Sequence, residues 1–164
     1  MYEASVPRFA HALKSLSAIL DKAQAHCDAK KIDPLALTQF RLYPDMLPLT
    51  RQVQIACDTA KGATARLAGV DIPKHEDTEQ TFAELKARIA KTLDFVQSVG
   101  ASKIDGTEAK EIVLKMRAGD MKFNGLEYLL GFAWPNVYFH CTTAYNILRH
   151  NGVELGKRDF LGGT

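Results

Sequence analysis

Asn136, His140 and Tyr145 are three polar side chains on one predicted helix, inside the stretch from Phe132 to Gly162 near the end of a 164-residue chain. The residues around them are mostly apolar, and a helix that only had to pack would not need them. The His140 imidazole can accept a proton, hydrogen-bond or ligate a metal near neutral pH. Asn136 lies one turn earlier on the same face, where an amide facing an apolar interior needs a partner or a ligand. Tyr145 offers a phenol that packs its ring and hydrogen-bonds its hydroxyl, or serves as an acid. Each also has a purely structural role open to it. A lone histidine is often satisfied within a core, and Asn136 beside Pro135 can help cap its helix. Asp45, ahead of the second predicted helix, reads first as an N-cap and second as a carboxylate reaching into the same site.

The remaining candidates carry less chemistry. Asp58 and Lys61 sit three residues apart and read as a solvated pair. His150 closes a helix, where a cation complements the macrodipole. His11, His26 and His75 share no metal-ligand spacing. Cys27, Cys57 and Cys141 are odd in number and far apart, which fits reduced thiols in a cytoplasmic protein. Cys57 and Cys141 fall on two long helices and are candidates for neighbours, inert if buried. There is no Gly-rich phosphate loop, no GxSxG elbow and no CxxC pair.

Composition narrows the classes. The net charge of +2, with no Lys/Arg run standing clear of Asp and Glu, lacks the footprint of a nucleic-acid binder. No apolar run reaches the roughly 20 residues that span a bilayer, and the first residues do not read as a signal peptide. Hydrophobic residues at 46% and charged residues at 24% fit an ordinary globular chain, expected as one domain over residues 1–164.

Helices position these residues. Val6, Phe9, Leu13, Leu16 and Leu20 recur at helical spacing, predicting a helix from about Val6 to Ala29 with Pro7 in its first turn. Pro34 and Pro44 break the next segment into a crossing piece with one short helical turn. A second long helix runs from Leu47 or Leu49 to about Leu67 and ends on Gly69 as a left-handed cap. Gly62 within it is a mild cost to the helix, tolerable where another helix approaches closely. After a polar linker over Val70–Thr78, Thr81 and Glu84 form a capping box for a third helix, which Gly100 closes. Glu111–Met116 and Met121–Phe123 have strand character around a turn at Arg117–Asp120, predicting a small hairpin. A helical lead-in over Gly125–Ala133 follows. Pro135 restarts the last helix, which reaches His150 and is capped by Asn151-Gly152. Beyond it, Phe160 and Leu161 can pin the tail onto the bundle or across a partner.

Two strings, RLYPDMLPLTRQVQIACDTAKGATARLAG (Arg41–Gly69) and PNVYFHCTTAYNILRHNGVELGKRDFLG (Pro135–Gly162), joined by the TFAELKARI opening of the third helix, closely resemble the DUF1993 family. That family lies within the DinB/YfiT-like group of metalloenzymes. The resemblance implies an all-α, DinB-like four-helix bundle, ordered up-down-down-up and usually dimeric, with the hairpin between helices three and four. It also implies a divalent metal held by one histidine on the second helix and an HxxxH pair on the fourth, and in some members thiol-transferase or hydrolase activity. The chain departs from that ligand set. Asn136 stands where one histidine of the pair is expected, and Ala144 follows His140 at the same spacing. On the second helix the nearest polar residues are Gln52 and Gln54. One imidazole with two neutral amides holds zinc or nickel far more weakly than three imidazoles.

The leading expectation is therefore a cytoplasmic homodimer with a polar pocket of Gln52, Asn136 and His140, joined by Asp45 and Tyr145. The pocket binds a small molecule, and no cofactor is expected beyond a weakly held zinc or nickel at His140. The alternatives are a metal-dependent thiol transferase or hydrolase and a non-catalytic dimeric interaction module.

Overall fold

The computed structural model describes residues 1–115 and 119–163. After a single 3₁₀ turn at Tyr2–Ala4, helix α1 spans Val6–Lys30 and buries the expected apolar series together with Ala10, Ile19, Ala23 and Cys27. Lys31 ends it in the left-handed region at φ 56°. A short α2, Pro34–Thr38, is capped by the Asp33 carboxylate accepting from the Leu35 N–H at 2.9 Å. α3 spans Leu49–Ala68, with Pro48 at the N-cap and Gly69 at φ 69° behind it. α4, Phe82–Ser98, opens on the Thr81–Glu84 capping box in full, both reciprocal hydrogen bonds being present. It stops two residues short of the expected Gly100, which instead precedes a one-turn α5, Ala101–Ile104.

Strands β1, Glu111–Leu114, and β2, Met121–Asn124, pair antiparallel with Glu111 opposite Asn124 and Leu114 opposite Met121. The expected extension of the first strand to Met116 and the first half of its turn, Arg117 and Ala118, lie outside the described residues. Asn124 and Glu127 form a second capping box for α6, Gly125–Glu127. A π-helical turn, Tyr128–Ala133, then leads into α7, Trp134–His150. So Pro135 does not restart a helix; it sits inside a continuous helical path from Gly125 to His150. A proline there removes one i→i−4 bond and crowds the preceding turn, and the widened turn lies directly before it. Last comes α8, Lys157–Phe160.

The chain is mainly helical with one two-stranded sheet. Its four long helices close a ring of contacts, α1 on α4, α4 on α3, α3 on α7 and α7 on α1. α3 turns Ala56, Ala60 and Ala63 inward, and small side chains let neighbouring backbones approach. At Gly62 the near neighbour is a side chain of the same helix. A Cβ there would meet the Arg66 guanidinium first, at 2.5 Å, and that group donates to the Tyr128 hydroxyl at 3.0 Å.

The Val70–Thr78 segment is tied down rather than loose. Arg88 on α4 is 1% exposed at its side chain and reaches Asp58 on α3, Asp77 and Glu79 at 2.9–3.0 Å. It also donates to the Glu76 carbonyl at 3.0 Å. Gln54 donates to Glu79 at 2.8 Å, and Arg51 bridges Gln54 and Asp77. The Asp58–Lys61 pair is only partly solvated: Lys61 is buried, while Asp58 stays about two-fifths exposed and is shared with Arg88.

Candidate functional site

The contact between α3 and α7 brings together two of the sequence-derived site residues. The Gln52 Oε1 lies 2.7 Å from His140 Nδ1, and Gln52 Nε2 donates to the Leu47 carbonyl at 2.9 Å. These two bonds determine a protonation state. Because the amide nitrogen of Gln52 is committed to a carbonyl, its oxygen faces His140 and can only accept. Nδ1 therefore carries the hydrogen, and in the neutral ring Nε2 carries a lone pair. Burial holds the His140 imidazole below its ordinary value of 6.5, which favours that neutral form.

Nε2 has no protein partner among the described residues, and it is not one of the fully buried unpartnered atoms, so it keeps contact with solvent. Phe139 packs edge-on to the imidazole at 5.2 Å between ring centroids and is 57% exposed; Leu47, whose carbonyl holds Gln52, is also exposed. The arrangement is a pre-oriented neutral imidazole offering one acceptor nitrogen, with the exposed Phe139 ring beside it.

The other expected members lie elsewhere. Asn136 is half-buried and donates to the Phe132 carbonyl at 2.7 Å, four residues back in its own helical path. It neither caps the helix nor turns its amide nitrogen to His140. Asp45 is exposed in the turn before α3, whose N-cap is Pro48. Tyr145 packs edge-on to Phe160 of α8 at 6.1 Å, on another side of α7. Gln54 belongs to the Arg88 network.

This donor set does not fit a three-histidine metal centre. The imidazole of His140 is held by one amide, Asn136 stands where a second imidazole would be needed, and among the described residues no three His, Cys, Asp or Glu side chains gather as a metal would need. The cysteines offer no nucleophile beside it. Burial pushes the thiols of Cys57 and Cys141 up to about 12, Cys57 adding to the effect on Cys141, and it raises Cys27 as well.

The depressed His140 basicity makes a pH prediction. Between its folded-state value and the ordinary value near 6.5, the unfolded chain binds the extra proton. Stability from this group is complete above about pH 6.5 and declines as pH falls through the window below it. His75, also lowered by burial first, acts in the same direction. Unfolding free energy measured by urea denaturation from pH 7.5 to 5 is expected to fall in the wild type and to fall less steeply in His140→Phe. Equal slopes would contradict the assignment.

Among the described residues no helix is long and apolar enough to cross a membrane. No curated protein matches the chain. A solved crystal structure of a DinB family member protein from Shewanella denitrificans is similar over 99% of this chain and 92% of its own, at 45% sequence identity and a TM-score of 0.91. Residues 1–161 match the family model described as a domain of unknown function, DUF1993. With that match over nearly its whole length and the likeness to a DinB family member, the chain belongs to the DUF1993 family and is DinB-like in fold.

Proposed function

We propose that this DUF1993 chain is a DinB-like four-helix bundle, ordered up-down-down-up, that binds a small molecule at His140 and holds divalent metal weakly or not at all. The observation that carries the reading is the 2.7 Å Gln52–His140 bond. It fixes the imidazole as an acceptor at Nε2, beside the exposed Phe139 ring and Leu47. A ligand suited to that surface has an apolar face and one hydrogen-bond donor, a hydroxyl or N–H. Asn136, Asp45 and Tyr145 are not needed for it.

A fragment titration followed by thermal shift tests this reading. Phenol and indole are expected to stabilise the wild type and to lose that effect in His140→Phe. Fragments that stabilise both proteins equally would remove His140 from the site. Metal analysis of untagged protein supplies the second arm. The expected result is substoichiometric zinc and nickel, and an affinity well short of the roughly 10 kcal/mol or more of a structural zinc site.

The metal-dependent transferase or hydrolase remains the second reading, supported by one feature. A ring N–H donated to an outer carbonyl is how metal-ligating histidines are oriented, and Gln52 provides that carbonyl for His140. Stoichiometric, tightly bound metal lost in His140→Ala would establish it over the first. Exposed Phe139 and Leu47 also suit a homodimer contact, which sedimentation would detect as a concentration-dependent mass that Phe139→Ser lowers.

A further inference from the structure

A cavity of about 230 Å³ lies between α1, α7 and the C-terminal turn, on the α1-facing side of α7 and apart from the His140 site. Its walls are largely apolar: Leu16, Ile19, Trp134, Tyr138 and Phe160 line it, along with the Cys141 thiol. Cys141 stays protonated at any ordinary pH, since burial holds it near 12, so the cavity contains no thiolate and reads as a binding space.

The polar groups on its rim differ in how far they are already used. Ser15 donates to the His11 carbonyl at 3.0 Å. His11 Nε2 donates to the Leu161 carbonyl at 2.9 Å, which fastens the tail as one wall. Asp159 of that tail pairs with Lys22 on α1 at 2.6 Å. Arg8 is left: among the described residues its guanidinium makes no ion pair and no side-chain hydrogen bond. A planar cation at the mouth of an aromatic-walled cavity complements a carboxylate on an apolar body, because the guanidinium fork matches two carboxylate oxygens and the body fills space that water occupies poorly.

We propose that this cavity binds a small carboxylate with an aromatic or aliphatic body, its carboxylate on Arg8 and its body against Trp134 and Tyr138. The reporter is built in, since Trp134 is the single tryptophan of the chain, stacks on Phe9 at 4.4 Å and Tyr138 at 4.8 Å, and lines the cavity.

The test is a tryptophan-fluorescence titration of the full chain with three probes: 3-phenylpropionate, its neutral amide, and acetate. A saturable change is expected with 3-phenylpropionate, about tenfold weaker or more with the amide and with acetate, a difference on the order of 1.4 kcal/mol. Arg8 is exposed, so Arg8→Gln is expected to fold, with an unchanged melting temperature and a loss of about tenfold or more for 3-phenylpropionate alone. Equal binding of acid and amide, undiminished binding to Arg8→Gln, or no saturable change with 3-phenylpropionate would each overturn the proposal. So would a signal that tracks dissociation of a dimer in parallel sedimentation runs, which would make the cavity part of an interface between two copies.

Discussion

Arg88→Met is expected to destabilise the protein by about 3 kcal/mol, because truncating the buried cation of this network leaves the acidic groups around it only partly compensated, Asp58 by Lys61 and Asp77 by Arg51. Methionine keeps most of the aliphatic volume, so the loss isolates the guanidinium. Asp58, Asp77 and Glu79 would lose their shared cation, and the Glu76 carbonyl its donor. Asp58 and Asp77 are about two-fifths exposed, so solvent softens their share, and the figure lies at the low end for a fully buried pair. The unfolding midpoint in urea measures the effect. Limited proteolysis locates it: cleavage within residues 70–80 should accelerate far more than cleavage elsewhere. A loss below about 1 kcal/mol would mean the network is no more than a surface ion pair.

Gly125→Ala should be comparably damaging for a different reason. A Cβ at Gly125 would fall 2.0 Å from the Thr107 carbonyl oxygen, a backbone atom that cannot swing away. The chain following α5 would have to move off α6, at an expected cost of about 3 kcal/mol, the upper end for overpacking. Gly62→Ala is the matched control. Its Cβ meets a flexible guanidinium, and the roughly 1 kcal/mol gained in helix propensity offsets the loss of the Arg66–Tyr128 bond. Thermal unfolding of the two variants side by side should show a large drop for the first and almost none for the second.

How legible these features were in the sequence depends on how locally they are determined. The Thr81–Glu84 box and the Gly69 cap involve residues within one turn of each other, and both appear where the spacing placed them. The hairpin was readable from two short stretches of strand character around the Arg117–Asp120 turn, although the pairing register was not. Arg88 has no part in the sequence-derived site. It follows Leu85 by three residues and precedes Thr92 by four, so it sits on the face that α4 buries. A charged residue inside an apolar stripe was the available signal.

The site was legible in part. Gln52 and His140 lie on different helices, and only the likeness to a known family suggested their meeting. Tyr145 was grouped with them because it shares their helix, yet five residues of helix turn a side chain by about 500°, well away from the starting face. Asn136 had the right face, but its amide found a backbone acceptor closer than any partner across the bundle. The π-helical turn before Pro135 was missed because the proline was taken to restart a helix, although a proline within a continuous helical path can instead widen the turn before it.

The three buried, unpaired cysteines are slow targets for thiol reagents in the folded molecule, Cys141 being the one that such a reagent can also approach through the cavity it lines. Alkylation then becomes a clock for opening. Cys57 and Cys141 sit on the two helices that Gln52 and His140 join, and Cys27 sits near the far end of α1. Peptide mapping of maleimide uptake over time would show whether the α3–α7 seam parts before α1 does, without a single engineered residue.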